Sequence, residues 1–336
     1  MKMGEDTLLL IKSIGLPGII EGENSPLNKA LSLLQLAELN KIPLLYLESL
    51  RKFRKHPFLK AQLSRYKNKH RKTLELTVLV SSLLEEFGIP YMIFKTLKPY
   101  PPTLADIDVL LWLSKDLTKA SHILEDRGFK PLNRDLYGST MLSLDHSLNV
   151  DLTTEVAASS FIYLDKSLLF KHVTQVKVNG FKVQTLQPHA DLVAVATHSL
   201  YKEQMYTASD YYTLALSSQH YQEASKLAEN THTKFALETA LKLTHNITIN
   251  AFGPSNPLAT RLKSLFRDTG VVNVTASTNR SLHLPMKYTP HLLMRGLLEK
   301  ILEDPASRGS LPSTLKSAFN SKFFTKLSEH ITRKGY

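Results

Sequence analysis

The chain of 336 residues contains no cysteine, which excludes disulfides, thiolate nucleophiles and cysteine-ligated zinc. No stretch approaches the roughly 18 consecutive apolar residues that a membrane span needs. The opening MKMGEDTLLLIKSIGLPGII places Glu5 and Asp6 ahead of its apolar residues and breaks them with Lys12 and Gly15. No signal peptide is expected from that pattern, and the protein is expected in the cytoplasm. Several catalytic signatures are also missing: no P-loop, no G-x-G-x-x-G, no H-E-x-x-H and no G-x-S-x-G. Internal repeats and low-complexity segments are absent. Acid is in short supply, with 30 Asp+Glu against 42 Lys+Arg, a net charge of +12. Such an excess favours a polyanionic partner, although lysines spread thinly over a surface would give the same total.

What is present is an ordinary globular composition, 43% hydrophobic and 21% charged. Residues from about 25 to 87 read as helical. Ser25-Pro26 is a start signal, Leu31, Leu34, Leu36 and Leu39 recur at roughly helical spacing, and Pro43 separates two helices. The segment HPFLKAQLSRYKNKHRKTLELTVLVSSLLEEFG predicts one long helix closed by Gly88. Between Arg51 and Lys72 the chain carries ten Lys/Arg and no acid. Arg65, Lys69 and Lys72 fall on one helical face, at i, i+4 and i+7. A soluble face usually interleaves acids with bases, so this run reads either as a solvated face or as a phosphate-backbone contact made by Arg51, Lys52, Arg54, Lys55, Arg65, Lys69 and Lys72.

After Gly88 the periodicity changes. IPYMIFK and DIDVLLWL predict strands, KDLTKASHILEDRGF a helix ending at Gly128, and STMLSL and LNVDLTT two further strands joined by the turn DHS. Asn179-Gly180 predicts a hairpin turn within VTQVKVNGFKVQTL. Helices resume at PHADLVAVATHSLYKEQM, with breaks expected at AFGPSNP (251–257) and DPASRGSLPS (304–313). The order is helical, α/β, helical, with expected units at 1–83, 84–187 and 188–336.

Asp106 and Asp108 stand two apart on a predicted strand, so both project to one face while Ile107 and Val109 point into a core. Asp151, on a later predicted strand, has the same apolar setting. If the two strands are neighbours, three carboxylates converge, and a divalent cation resolves their repulsion. An acidic strand entrance after a Pro-rich turn would also supply Asp-x-Asp, without any metal. Upstream, Lys95, Thr96 and Lys98 lie on a turn where two ammonium groups, a hydroxyl and backbone N–H groups could meet triphosphate oxygens, or where the lysines are simply surface residues.

On these residues the chain resembles the nucleotidyltransferase superfamily that includes DNA polymerase beta. More closely it resembles the family of uncharacterised nucleotidyltransferases. The resemblance rests on Gly88-Ile89-Pro90 with Lys95, on Asp106-Ile107-Asp108-Val109-Leu110, on Val150-Asp151-Leu152-Thr153 and on the helix DLVAVATHS ending at His198. It implies an α/β nucleotidyltransferase-fold domain with a mixed β-sheet, flanked by N-terminal and C-terminal helical regions. It also implies two Mg²⁺ ions (Mn²⁺ being the alternative) and an NTP whose nucleoside monophosphate passes to an acceptor hydroxyl with loss of pyrophosphate. Carried over, Asp106 and Asp108 are metal ligands, Asp151 is the third catalytic carboxylate, which also ligates a metal and could help the acceptor lose its proton, and the Lys95-Thr96 turn holds the triphosphate. Two departures stand out. The superfamily has Gly-Gly or Gly-Ser at that turn and the nearer family Lys-Gly, and Thr153 stands where histidine often follows the third Asp. His198, Lys202 and Asp210 are candidate nucleotide contacts from the helical region, though a lone helix histidine is more often a packed, hydrogen-bonded one. Tyr66, Tyr206, Tyr211 and Tyr212 could stack on bases or simply pack.

Three functions follow for testing: nucleotidyl transfer to RNA such as tRNA, transfer to protein (AMPylation) or a small molecule, and a non-catalytic binding module on the same fold. No membrane partner is expected.

Overall fold

The computed structural model describes residues 3–23, 26–53, 55–145, 147–265 and 282–318. Ser25, Arg54 and His146, named above in a helix start, the basic run and a turn, lie outside the described residues. The chain opens with α1 (Glu5–Ile14) and the short hairpin β1 (Gly15–Leu16) and β2 (Ile20–Glu21), none of which the sequence reading anticipated. Next come α2 (Leu27–Leu39), α3 (Pro43–Ser49) and α4 (Pro57–Glu86). Pro43 and Pro57 each occupy a first helical turn, where the missing N–H has no partner to lose. The face of α2 that packs is Ala30, Leu33, Leu34 and Ala37, while Leu31 and Leu39, two of the leucines at helical spacing, are exposed. Gly88 closes the α4 end with a left-handed φ of 65°.

The sheet follows: β3 (Tyr91–Ile93), β4 (Asp106–Leu111), α5 (Asp116–Asp126), β5 (Lys130–Arg134), β6 (Gly138–Leu142) and β7 (Asn149–Thr153). A small hairpin of β8 (Val156–Ala158) and β9 (Phe161–Leu164), then α6 (Lys166–Phe170), lead to β10 (Val173–Val178) and β11 (Phe181–Leu186). The expected Asn-Gly turn joins the last two, both residues at positive φ. Seven strands form one mixed sheet in the order β10-β11-β3-β4-β7-β6-β5, with β4 parallel to β7 and antiparallel to β3. β5 escaped the sequence reading because all five of its residues are exposed on the sheet edge, so no apolar alternation marks it.

The remainder is largely helical: α7 (Pro188–Thr197), a π-helical turn at His198–Glu203, β12 (Met205–Tyr206), α8 (Ala208–Leu216), α9 (Tyr221–Asn230), α10 (Lys234–Phe252), α11 (Pro257–Leu265), β13 (Met286–Lys287), α12 (Pro290–Glu303) and α13 (Pro305–Ala318). The break expected at 304–313 is confined to Asp304. Pro305 fits the first turn of α13, and Pro312 is carried inside it. Tertiary contacts hold this helix: the Ser307 hydroxyl donates to the Ile162 carbonyl at 2.7 Å, and the Ser310 hydroxyl accepts from the Ile162 N–H at 3.1 Å.

Two cores position the site. On one sheet face Ile107, Val109, Leu111, Val150 and Leu152 pack against the second half of α4 and against α5. On the other, Met92, Phe94 and Leu110 join a larger core that the helices before and after the sheet share. Asp106 and Asp108 are in phase with Leu110, so the alternation of β4 turns both acids toward this second, helical side.

Candidate active site

Asp108 and Asp151 are register partners on the parallel strands β4 and β7, and Asp106 stands opposite Asn149. Paired residues of a ladder project to the same face, so the three carboxylates gather on one patch. Their charges interact accordingly. Burial and the repulsion of Asp108 and Asp151 push Asp106 up to about 6. Asp151 is also raised, chiefly by burial, with the Thr140 hydroxyl as a partial counterweight. Asp108 goes the other way: burial alone would raise it, but Lys95, Lys202 and His198 together hold it below the ordinary carboxylate value.

Lys95 explains that difference. Its ammonium lies 3.3 Å from Asp108 Oδ2, 3.0 Å from His198 Nδ1 and 4.4 Å from the centre of the Phe94 ring. The residue is only 9% exposed, and its φ is +58°. The left-handed position therefore falls on Lys95 and not on Thr96, at a cost of about 1–2 kcal/mol for a residue with a Cβ. Asp191, in the first turn of α7, accepts from the Lys95 backbone N–H at 3.3 Å and helps hold that conformation. Thr96 is 1% exposed. Its hydroxyl donates to the Phe94 carbonyl at 3.3 Å and accepts from the Asp108 N–H at 3.1 Å. The expected triphosphate contact of Thr96 is thus corrected: a buried hydroxyl committed to two backbone groups fixes the entrance of β4.

His198 begins the π-helical turn, whose i to i+5 geometry sets Glu203 on the same side. Glu203 Oε1 lies 3.4 Å from His198 Nε2. A carboxylate there only accepts, so Nε2 carries the proton and Nδ1 receives Lys95 and the Tyr163 hydroxyl, the latter at 3.2 Å. Burial first, then Lys95, pushes the imidazole down to about 3, which keeps it a neutral acceptor at physiological pH. Asp210 proves to be a helix cap. Its Oδ2 accepts from the Thr207 N–H and hydroxyl, both at 2.8 Å, completing a capping box on α8, a structural commitment beside the nucleotide contact expected of it. Lys202 is exposed, and its charge is felt by Lys95, Asp108, Asp151 and His198.

Three further residues complete the patch without having drawn attention in the sequence: Asp191, Tyr163 and Lys41. Burial opposes the charge of Lys41, but Glu203, Asp210, Asp106 and Asp108 outweigh it and raise its pKa. Lys41 too has a left-handed backbone, at φ 61°, in the turn between α2 and α3. Lys69 also reaches this region. Burial and Arg65 lower its pKa, with Asp106 pulling the other way. No local signal in the chain foretells Lys41, because only the fold brings the α2–α3 turn over the sheet.

The basic run meets more acid than its sequence implies. Lys67 pairs with Glu48 at 3.6 Å, Lys72 with Asp145 at 2.6 Å and Arg51 with Glu21 at 3.3 Å, while Arg71 meets Glu75 at 2.6 Å just beyond the run. Arg65 lies over the Tyr66 ring, 5.4 Å from its centre. The missing acids are supplied from elsewhere in the fold. Tyr66, Tyr206, Tyr211 and Tyr212 are packed inside, not presented for stacking. A groove of about 690 Å³ opens between the β1–β2 hairpin and α3, lined among others by Ile19, Glu48, Arg51 and Lys52. None of the three aspartates lines it, and the chemistry is assigned to the carboxylates instead.

Among the described residues no three His, Asp or Glu side chains form a ready-made metal cluster. The donors nonetheless fit a hard cation. All are carboxylate oxygens, and Asp151 Oδ1 is buried with no hydrogen-bond partner, an orphaned acceptor that a cation would satisfy.

No protein-family model matches the chain. No curated protein matches it either. Among solved structures, the chain is similar to an antigenic nucleotidyltransferase-like protein from Paracoccidioides brasiliensis. Identity is 14% and the TM-score 0.34, over 57% of this chain and 92% of that one. It is also similar to the CCA-adding enzyme of Thermotoga maritima complexed with tRNA, at 13% identity and a TM-score of 0.23, over 79% of this chain and 87% of that one. Overlaps this slight bear on neither activity nor substrate. No helix among the described residues is long and apolar enough to cross a membrane.

Proposed function

We propose that the chain is a nucleotidyltransferase whose catalytic centre is Asp106, Asp108 and Asp151. The observation that carries this reading is the parallel pairing of Asp108 with Asp151, with Asp106 on the same face and an unpartnered carboxylate oxygen among them. A divalent cation bound there, Mg²⁺ or Mn²⁺, would neutralise charge on the phosphoryl group and on the departing pyrophosphate. The residues supply the rest. Asp106 and Asp151 hold the cation. Lys41 and Lys202, with Lys98 beside them, offer ammonium groups to the triphosphate. The acceptor hydroxyl attacks the α-phosphorus, the bond to pyrophosphate breaks, and the hydroxyl proton passes to a carboxylate. Asp151, raised by burial, suits that last role.

RNA is the acceptor class that the chain's charge supports, through its +12 excess and the cations of α4 that extend from the cleft at Lys69. The experiment is label transfer from each α-³²P-NTP with Mg²⁺ or Mn²⁺, in the presence of total RNA and protein extract, beside Asp106→Ala/Asp108→Ala. Label entering RNA with the native protein alone supports the proposal. Label entering protein moves the acceptor to AMPylation. No transfer with any NTP to RNA, protein or small molecules would leave a non-catalytic module.

A further inference from the structure

The Lys95 ammonium is held more firmly than a phosphate-binding lysine needs. Four features fix it: the Asp108 carboxylate at 3.3 Å, the neutral His198 acceptor at 3.0 Å, the Phe94 ring, and the Asp191 contact to its own backbone N–H. His198 is in turn oriented by Glu203, so the lysine rests on a second layer of fixed groups. A triphosphate-binding lysine would instead present its charge to the open cleft, as the exposed Lys202 does. Lys95 points into the acid patch and is almost fully buried there. With Lys95 paired to Asp108, the Asp106 and Asp151 carboxylates carry a charge of −2 between them, which a single divalent cation balances.

We propose, resting on the nucleotidyltransferase reading above, that Lys95 is a built-in counter-ion of Asp108 standing in for a second metal. The site then takes one divalent cation, on the Asp106 and Asp151 side, where the resemblance implies two. His198 and Glu203 are positioning residues, acting through Lys95. Against the superfamily's Gly-Gly or Gly-Ser turn, the left-handed backbone that glycine would adopt freely is kept here at Lys95, and it aims the side chain inward. Phosphate binding passes to Lys41, Lys98 and Lys202.

The test counts bound Mn²⁺ by the electron paramagnetic resonance signal of the free ion, at pH 8 and without nucleotide. Asp106→Asn/Asp151→Asn supplies the background. Wild type is expected to bind one ion above that background, Lys95→Arg one, and Lys95→Met two. Should Lys95→Met fail to fold by circular dichroism, Lys95→Gln is the second neutral variant and carries the same expectation. Two ions on wild type, or one on a folded neutral variant, would overturn the inference while leaving nucleotidyl transfer standing. No ion on any of them would overturn the inference, and label transfer then decides separately whether the nucleotidyltransferase reading stands.

Discussion

Asn40 joins three segments of the chain beside Lys41, and its replacement by alanine has a calculable cost. The side chain is fully buried. Its Nδ2 donates to the Leu36 carbonyl at 2.9 Å and to the Leu284 carbonyl at 3.0 Å, and its Oδ1 accepts from the Ala208 N–H at 2.8 Å. That N–H belongs to the first turn of α8, where the helix itself offers no acceptor. One side chain thus ties the end of α2 to α8 and to the segment before β13. Alanine would orphan the Ala208 N–H and the Leu284 carbonyl, while Leu36 keeps the backbone N–H of residue 40, at 3.1 Å. At about 1–3 kcal/mol for each buried group left unsatisfied, the loss is about 2–6 kcal/mol. That is a large share of the about 5–15 kcal/mol typical of folded proteins. Urea unfolding followed by circular dichroism measures it, as a lower midpoint at unchanged slope. Because Lys41 follows directly, Asn40→Ala should also weaken NTP binding at urea concentrations where the chain is still folded. A stability loss below about 1 kcal/mol would show that the Asn40 hydrogen bonds do not join these segments.

Asp106→Asn is expected to stabilise the metal-free protein at pH 7.5, since it removes a carboxylate that burial and two neighbouring acids hold at about 6. A carboxyl raised in the folded state contributes its stability below its ordinary value and loses it as pH rises through about 6, so the gain is at most about 3 kcal/mol at pH 7.5 and vanishes near pH 3.5. Thermal melts at the two pH values check this, and equal melting of variant and wild type at pH 7.5 would contradict it. Lys300 is 1% exposed, 2.6 Å from Asp304 and donating at 2.6 Å to the Thr231 carbonyl. Lys300→Ala should cost about 3–5 kcal/mol by taking the ammonium from the Thr231 carbonyl and from the Asp304 carboxylate, which keeps only the Ala306 N–H and the Ser307 hydroxyl, whereas Lys300→Met with Asp304→Asn, which still offers those two donors an acceptor, should recover part of that in the same urea assay.

Local pattern carried the strands and helices whose two faces differ. β4 and β7 were legible because aspartates alternate with branched apolar residues, and α4 because Gly88 closes it. The β10–β11 turn was legible because Asn and Gly accept positive φ. β5 was not, since an exposed edge strand needs no alternation, and α13 was misread because its Pro312 is tolerated through contacts with β9.

The three aspartates, their phase on the strands and the basic excess of the chain were written in the sequence by itself, since residue identity and a two-residue period require no distant partner. Only the tertiary structure decided that Lys95 would neutralise Asp108, that Thr96 would be sealed in backbone hydrogen bonds, that Lys41 would enter the cleft, and that Glu48 and Asp145 would offset the basic run. Each of these depends on a contact between different elements of the fold, and an ionic partner leaves no periodic trace in the sequence around the charge it meets.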